Sequence, residues 1–416
     1  MKCVVPSRVD GTLAAPASKS VLQRLVALGV LTSGRTVIDG ASLCDDVRAS
    51  LGVAVAMGAR VSWEGNRLLL DGPGFPQSGA FDCGESGLCL RMFSAVAALL
   101  PGESVLHARG SLRSRPVSML VDPLRVLGVA CDSRDGLPPV TVRGPMTGGR
   151  VTIPGDVSSQ FLTGLLIALP TAKADTVLDV VDLKSTPYVD LTLDLVARAG
   201  AEVVRDGFRR FDVRGGQSYS ARSWAAEGDW SGAAFLLVAG ALAGRVRVTG
   251  LDLASRQADV RILEALRACG AGLVAGPGAV ECAAGHLRSF EFDATDCPDL
   301  LPPLVALAAN CAGVSVLHGS ARLRHKESDR SAALRAEFGQ LGVVIDDDGE
   351  ALRVLGGPIS GGQASSRGDH RIAMALAVAA LVARAPVTIE GDACVAKSYE
   401  GFFSDLASLG AVVEEV

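Results

Sequence analysis

Arg324-His325-Lys326-Glu327-Ser328-Asp329-Arg330 sets three cations, two carboxylates, a histidine and a serine side by side in a chain that is only 20% charged. Two kinds of chemistry are open to such a stretch. A carboxylate can move a proton, and the cations can hold an anionic substrate. The plainer account is a solvated helix start, with Lys326 and Arg330 paired to Glu327 and Asp329 for about 0.5 kcal/mol or less. The rest of the chain decides between the two accounts.

Six apolar segments with helical character begin on polar clusters: Ser18-Lys19-Ser20, Gly84-Glu85-Ser86-Gly87, Ser158-Ser159-Gln160, Gly228-Asp229-Trp230-Ser231, Asp296 to Asp299, and Gly368-Asp369-His370-Arg371. Ser, Asp and Gly at such positions are ordinary helix caps. Capping does not account for Lys19, Gln160, His370 or Arg371. Helix N-termini present unpaired N–H groups and a positive dipole end, which suit phosphate and carboxylate groups, and added cations point the same way. A second series of polar loops precedes a second helix each time: Asp45-Asp46-Val47-Arg48, Arg113-Ser114-Arg115-Pro116, Lys184-Ser185-Thr186-Pro187-Tyr188, Arg256-Gln257-Ala258-Asp259, Lys326 to Arg330, and Lys397-Ser398-Tyr399-Glu400. Lysine is scarce in this chain, yet Lys19, Lys184, Lys326 and Lys397 all fall in these two series. His325 and His318 read as structural.

The elements that must position these residues follow from an internal repeat. A helix-like segment ending in glycine and running into a hairpin recurs around Gly58, Gly128, Gly200, Gly270, Gly342 and Gly410, a period of roughly 70 residues. Each copy reads as apolar helix, Val-rich strand, second helix, hairpin. The sixth copy lacks the end of its hairpin, so the N-terminal segment is expected to return as the missing strand. Six copies divide into two domains of three, residues 1–16 with 229–416 and residues 17–228, with hinge crossings near 15–20 and 226–232. Equivalent positions in stacked repeats face the same way, so the polar helix starts should ring one end of each domain.

Composition sets the outer bounds. At 416 residues with 49% hydrophobic content, the chain can bury a large core. No uninterrupted apolar run reaches the roughly 20 residues needed to cross a bilayer, and the first residues lack the apolar core of a signal peptide, so a soluble cytoplasmic protein is expected. The ten cysteines are scattered without metal-ligand spacing. A net charge of -5 without a basic block argues against nucleic acid as a partner.

The segments PASKSVLQR, CGESGLCLR, SLRSRP, SSQFLTGLL, STPYVDLTLDLV, CPDLLPPLVALA, RHKESDR and GDHRIAMALAVAAL occur in the order and at about the spacing of one family. Over essentially its whole length the chain resembles the 5-enolpyruvylshikimate-3-phosphate synthases. The resemblance implies an α/β (α+β) fold, a two-domain inside-out α/β barrel in which each domain holds three β-α-β-α-β-β units. It implies transfer of the enolpyruvyl group of phosphoenolpyruvate to the 5-hydroxyl of shikimate 3-phosphate, with release of phosphate, in the shikimate pathway to chorismate and the aromatic amino acids. Neither a metal nor another cofactor is implied. The partners are two small-molecule substrates, with no nucleic acid and no membrane, and a monomer is expected.

Matched motif by motif, the resemblance assigns Ser158, Ser159 and Ser185 to the phosphate of shikimate 3-phosphate. Gln160, Ser20, Arg24 and Tyr188 go to its ring and carboxylate, with Lys19, Asp299 and Lys326 nearby. Phosphoenolpyruvate falls to Lys19, Gly87, Arg115, Gln160, Arg330, Arg371 and Lys397. Asp299 becomes the base beside the 5-hydroxyl, Glu327 the group that protonates and deprotonates C3, and Lys19 the cation beside both reacting oxygens. The chain departs from the family at Glu85 and Leu88, commonly Asn and Thr, at Met92-Phe93, commonly Pro-Leu, and at Arg322, often Asn; no role is carried over to Glu85 or Leu88. Two other readings stay open: the sister transferase acting on UDP-N-acetylglucosamine, and a non-catalytic repeat scaffold. The sister enzyme typically has Lys-Asn where this chain has Lys19-Ser20, and a reactive cysteine in the loop that here reads SLRSRP.

Overall fold

The computed structural model describes residues 1–156, 158–324 and 326–416. Its strands form six four-stranded sheets, and all six share one topology. The copy that runs from strand Ala80–Asp82 through helix Gly87–Ala97, strand Gly102–His107, helix Ser118–Val126 and hairpin Ala130–Arg134/Leu137–Gly144 shows it plainly. The first strand pairs parallel to the second, the second antiparallel to the fourth, and the fourth antiparallel to the third. This is the β-α-β-α-β-β unit.

The second strand of each copy alternates, as a half-buried strand must. Leu178 and Val180 point inward in Thr176–Val181, Val246 and Val248 in Gly244–Leu251, and Val387 and Ile389 in Val387–Glu390. The first helices are buried nearly all round, as their composition requires. Every residue of Gly87–Ala97, Leu301–Ala308 and His370–Ala380 is buried. In Lys19–Val30 the exceptions are Lys19 and Ser20, and in Gln160–Ala168 the exception is Gln160, all at the polar start.

Each second helix ends on one of the marker glycines, and all six adopt positive φ, between 84° and 103°. Gly270 shows why glycine stands there: at φ 87° and ψ 23° its N–H bonds to Arg267 O, and the following Ala271 N–H reaches back to Leu266 O. That left-handed cap closes the orphan carbonyls and turns the chain into the hairpin, a conformation costly for any residue with a Cβ.

By internal contacts the chain divides into two compact units, Met1–Ser18 with Glu227–Val416, and Lys19–Ala226. Ser18 stays with the first because its N–H donates to Glu227 O (2.7 Å) and its hydroxyl to Gln257 Oε1 (3.1 Å). In that unit the helices Trp230–Ala243, Leu301–Ala308 and His370–Ala380 pack against one another and the sheets lie outside them. The N-terminal strand Lys2–Val5 does return as the fourth strand of the sixth copy, between Val387–Glu390 and Val412–Glu415.

Two copies obtain their first strand from a distance, which the repeat pattern did not foretell. Val9–Ala14 leads directly into helix Lys19–Val30 but pairs with Gly244–Leu251, within the unit Met1–Ser18 with Glu227–Val416. Ser223–Ala225 leads into helix Trp230–Ala243 but pairs with Ser33–Asp39. Locally both read as strand, loop, helix; only the parallel partner reveals the exchange.

Candidate active site

In the unit Lys19–Ala226 the polar starts of three central helices are joined by side chains. Gln23, buried one turn into Lys19–Val30, accepts from Ser86 Oγ (3.0 Å) at the start of Gly87–Ala97 and from Ser50 Oγ (3.3 Å). Lys19 Nζ lies 2.8 Å from Asp46 Oδ2, at the start of helix Asp45–Ala56. Arg24 is buried, and its guanidinium donates to Ser20 O, Thr192 Oγ1, Thr163 Oγ1 and Tyr188 O, with its carbon 5.9 Å from the Tyr188 ring centre. Burial brings Arg24 down to about 10, and its donors hold Ser20 and Tyr188 in place.

Ser158 Oγ accepts from the Gln160 N–H (3.2 Å), and Ser159 caps the helix Gln160–Ala168. Ser185 caps Thr186–Arg198 from a left-handed backbone, φ 57° and ψ 44°, a strained position for serine. Its loop lies against the one before Ser158, through Lys184 N–H to Gly155 O (3.1 Å). At Gly87 the backbone is hemmed in: a Cβ there would stand 2.9 Å from Arg91 Nη1 and 3.0 Å from Arg115 Nη1. Glu85 turns to Ser111, accepting from its N–H (3.1 Å) and hydroxyl (2.8 Å), so its charge is spent on the turn Gly110–Ser114.

In the other unit one network gathers the charged residues of two copies. Asp299 accepts from Lys326 Nζ (3.2 Å), Arg330 Nη1 (2.9 Å) and Arg371 Nη2 (3.0 Å). Arg330, 1% exposed, spreads its fork over three carboxylates: Nη1 to Asp299, Nη2 to Glu327 Oε2 (2.6 Å) and Nε to Asp369 Oδ2 (2.7 Å). Asp369 also caps helix His370–Ala380 through the Arg371 N–H (3.0 Å) and accepts from Ser328 Oγ (3.1 Å).

Burial works against the Asp299 carboxylate, but Arg371, Lys326 and Arg330 outweigh it and hold it well below the usual carboxylate range. Burial lowers Lys326, and Asp299 counteracts it only in part. Lys397 ends the turn Asp392–Lys397 and is buried in the same unit. Asp259, wholly buried, accepts from Ser231 Oγ; burial first, then the Asp299 charge, pushes it up.

The sequence therefore named most members of both networks. It did not single out Asp46, Arg91, Asp259 or Asp369 as partners. For Arg91 the signal was present: it is the one charged residue in the helix Gly87–Ala97. His318 pairs with Glu291 (2.8 Å) at the surface, and His325 lies outside the described residues.

This sixfold unit, with helices inside and polar helix starts, defines a class, that of the enolpyruvyl transferase fold. Similar solved structures are EPSP synthase from Acinetobacter baumannii (TM-score 0.83, 25% identity, 100% of this chain and 99% of that one) and the enolpyruvyl transferase NikO from Streptomyces tendae (TM-score 0.79, 20% identity, 100% and 98%), the latter a likeness of fold alone. A family model described as EPSP synthase (3-phosphoshikimate 1-carboxyvinyltransferase) matches residues 4–406. The 3-phosphoshikimate 1-carboxyvinyltransferases of Methanocorpusculum labreanum and Aeropyrum pernix are 38% and 40% identical to this chain, covering 100% and 99% of it and 100% and 96% of themselves. The chain belongs to the EPSP synthase family.

Proposed function

We propose that this chain transfers the enolpyruvyl group of phosphoenolpyruvate to the 5-hydroxyl of shikimate 3-phosphate and releases inorganic phosphate, in the shikimate pathway to chorismate. The observation that carries the reading is the network of Asp299, Lys326, Glu327, Arg330 and Arg371, assembled in a chain matched to the EPSP synthase family from residue 4 to 406. Two carboxylates among cations supply what an addition followed by an elimination requires: proton acceptors and donors beside groups that neutralise a phosphate and a carboxylate.

Shikimate 3-phosphate is held by Ser158, Ser159 and Ser185 at its phosphate and by Ser20, Arg24, Gln160, Tyr188 and Lys326 elsewhere. Phosphoenolpyruvate is held by Lys19, Gly87, Arg115, Gln160, Arg330, Arg371 and Lys397. Asp299 accepts the 5-hydroxyl proton as that oxygen attacks C2, and Glu327 gives its proton to C3, producing the tetrahedral adduct. Glu327 then takes a proton back from C3 as the bond from C2 to the phosphate oxygen breaks, and the proton gathered by Asp299 leaves with phosphate.

A carboxylate held by three cations, as Asp299 is, is a weak base. Substrate anions that take over Arg371, Arg330 and Lys326 would release Asp299 and Glu327 together. The site would thus become reactive only when occupied. The enzyme acts as a cytoplasmic monomer without nucleic acid, a reading supported by the -5 net charge and by ten free thiols, nine of them buried. Among the described residues no helix is long and apolar enough to cross a membrane.

The test is phosphate release from phosphoenolpyruvate by the purified chain. Release only in the presence of shikimate 3-phosphate is expected; release with UDP-N-acetylglucosamine instead, or no release with either acceptor, would overturn the reading.

A further inference from the structure

Arg91 sits five residues into the buried helix Gly87–Ala97 and is itself 2% exposed. Its Nη1 donates to Gln160 Oε1 (2.7 Å), at the start of Gln160–Ala168, and its Nη2 to the backbone carbonyl of Pro116 (2.9 Å), immediately after Arg115. One turn back along its own helix is Gly87, whose backbone Arg91 and Arg115 flank at nearly equal distance. One guanidinium thus ties together three elements that each contribute a residue assigned above to substrate.

The chemistry of the pair fixes more than position. A guanidinium has donors only, so the atom of Gln160 that faces Arg91 must be the amide oxygen. The nitrogen, with its two N–H donors, is then the end that Gln160 offers to a ligand. Such an amide nitrogen can serve a carboxylate or phosphate oxygen or a hydroxyl lone pair, while the oxygen has one of its two lone pairs committed to Arg91. Buried among apolar neighbours, the bidentate geometry leaves the fork little freedom to rotate, and lysine could reproduce only one of its two bonds.

We propose that Arg91 is a positioning residue for enolpyruvyl transfer, locking Gln160 as a hydrogen-bond donor and pinning the Arg115 segment so that both address the same anionic oxygen beside Gly87. The proposal rests on the assignment of Gln160 and Arg115 to substrate. It concerns a residue that touches neither reacting atom, so its effect belongs in binding more than in the chemical step.

A double-mutant cycle on the full chain separates the possibilities. Gln160→Ala, Arg91→Met and the double variant are compared for KM of phosphoenolpyruvate, kcat and thermal midpoint. Each single variant is expected to raise KM about tenfold with a smaller change in kcat, and the double variant to be no worse than the more damaged single, the non-additivity of residues acting through one contact. Arg91→Lys should fall between parent and Arg91→Met, and takes its place in the cycle should Arg91→Met fail to fold. Losses that multiply in the double variant would overturn the role of Arg91 while leaving Gln160 a ligand. An unchanged KM in Gln160→Ala would instead overturn the assignment of Gln160 itself.

Discussion

Arg330 donates to Asp299, Glu327 and Asp369 from three different nitrogens, and that division of one charge among three carboxylates sets what each can do. Removing the proton from Glu327 chemistry without removing its shape is the sharpest probe. Glu327→Gln should bind both substrates nearly as the parent does, measured by calorimetry, while kcat falls by roughly three powers of ten, the scale of a lost proton transfer. A variant that turned over at the parent rate would remove Glu327 from the proton path.

Asp259 makes a second test at the same scale, through stability. Burial and the neighbouring Asp299 charge push it from its ordinary 3.8 up to about 7. Its folded value is raised, so the folded chain keeps this proton where the unfolded chain has lost it. The associated stability is complete below about 4 and disappears as pH rises through about 7. Arg371, Asp229 and Ser231 also face this carboxyl. Asp259→Asn should therefore flatten the pH dependence of the denaturation midpoint between those limits; an unchanged slope would show that the proton is not held there.

Among the elements, the six glycine caps do work that composition announces and geometry explains. Gly270→Ala places a Cβ at φ 87° and 3.2 Å from His286 O, and should cost about 1–2 kcal/mol with kcat unaltered, read from denaturant midpoints. Stability equal to the parent would mean that the cap is not needed to turn the chain into its hairpin. These glycines, the apolar helices and their polar starts were legible because each obeys a local rule: a left-handed cap, a buried face, an anion-friendly N-terminus. Partnerships between the loops of one copy were not. Nothing in the run Asp45-Asp46 says which of the two meets Lys19, and nothing near Ser185 announces its left-handed backbone, because both are settled by packing between segments far apart in sequence. Glu85, a departure from the family two residues before Gly87, is met by a serine 26 positions on.

For the whole molecule the two units are unequal in how they are written. Lys19–Ala226 is continuous and contains every strand of its three sheets, Ser223–Ala225 included. The other depends on Lys2–Val5, an interior strand, and on Val9–Ala14, an edge strand, both remote from Glu227–Val416. Expressed alone, residues 19–226 should unfold cooperatively in denaturant, whereas 227–416 should do so only when residues 1–18 are supplied in trans. Cooperative unfolding of 227–416 by itself would show that the borrowed strands are dispensable. The division expected from the repeat, residues 1–16 with 229–416 and residues 17–228, carries the same inequality.

The borrowed strands also bear on the order of events at the ribosome. Synthesis runs from the amino end, so Lys2–Val5 and Val9–Ala14 leave the exit tunnel well before their hydrogen-bonding partners, Gly244–Leu251 for Val9–Ala14 and, later still, Val387–Glu390 and Val412–Glu415 for Lys2–Val5. Through most of elongation these two stretches are open strand edges, the surfaces most prone to pair with a neighbouring nascent chain. Codon changes that stall translation between residues 227 and 416 should lower the soluble yield more than equal stalls earlier in the message.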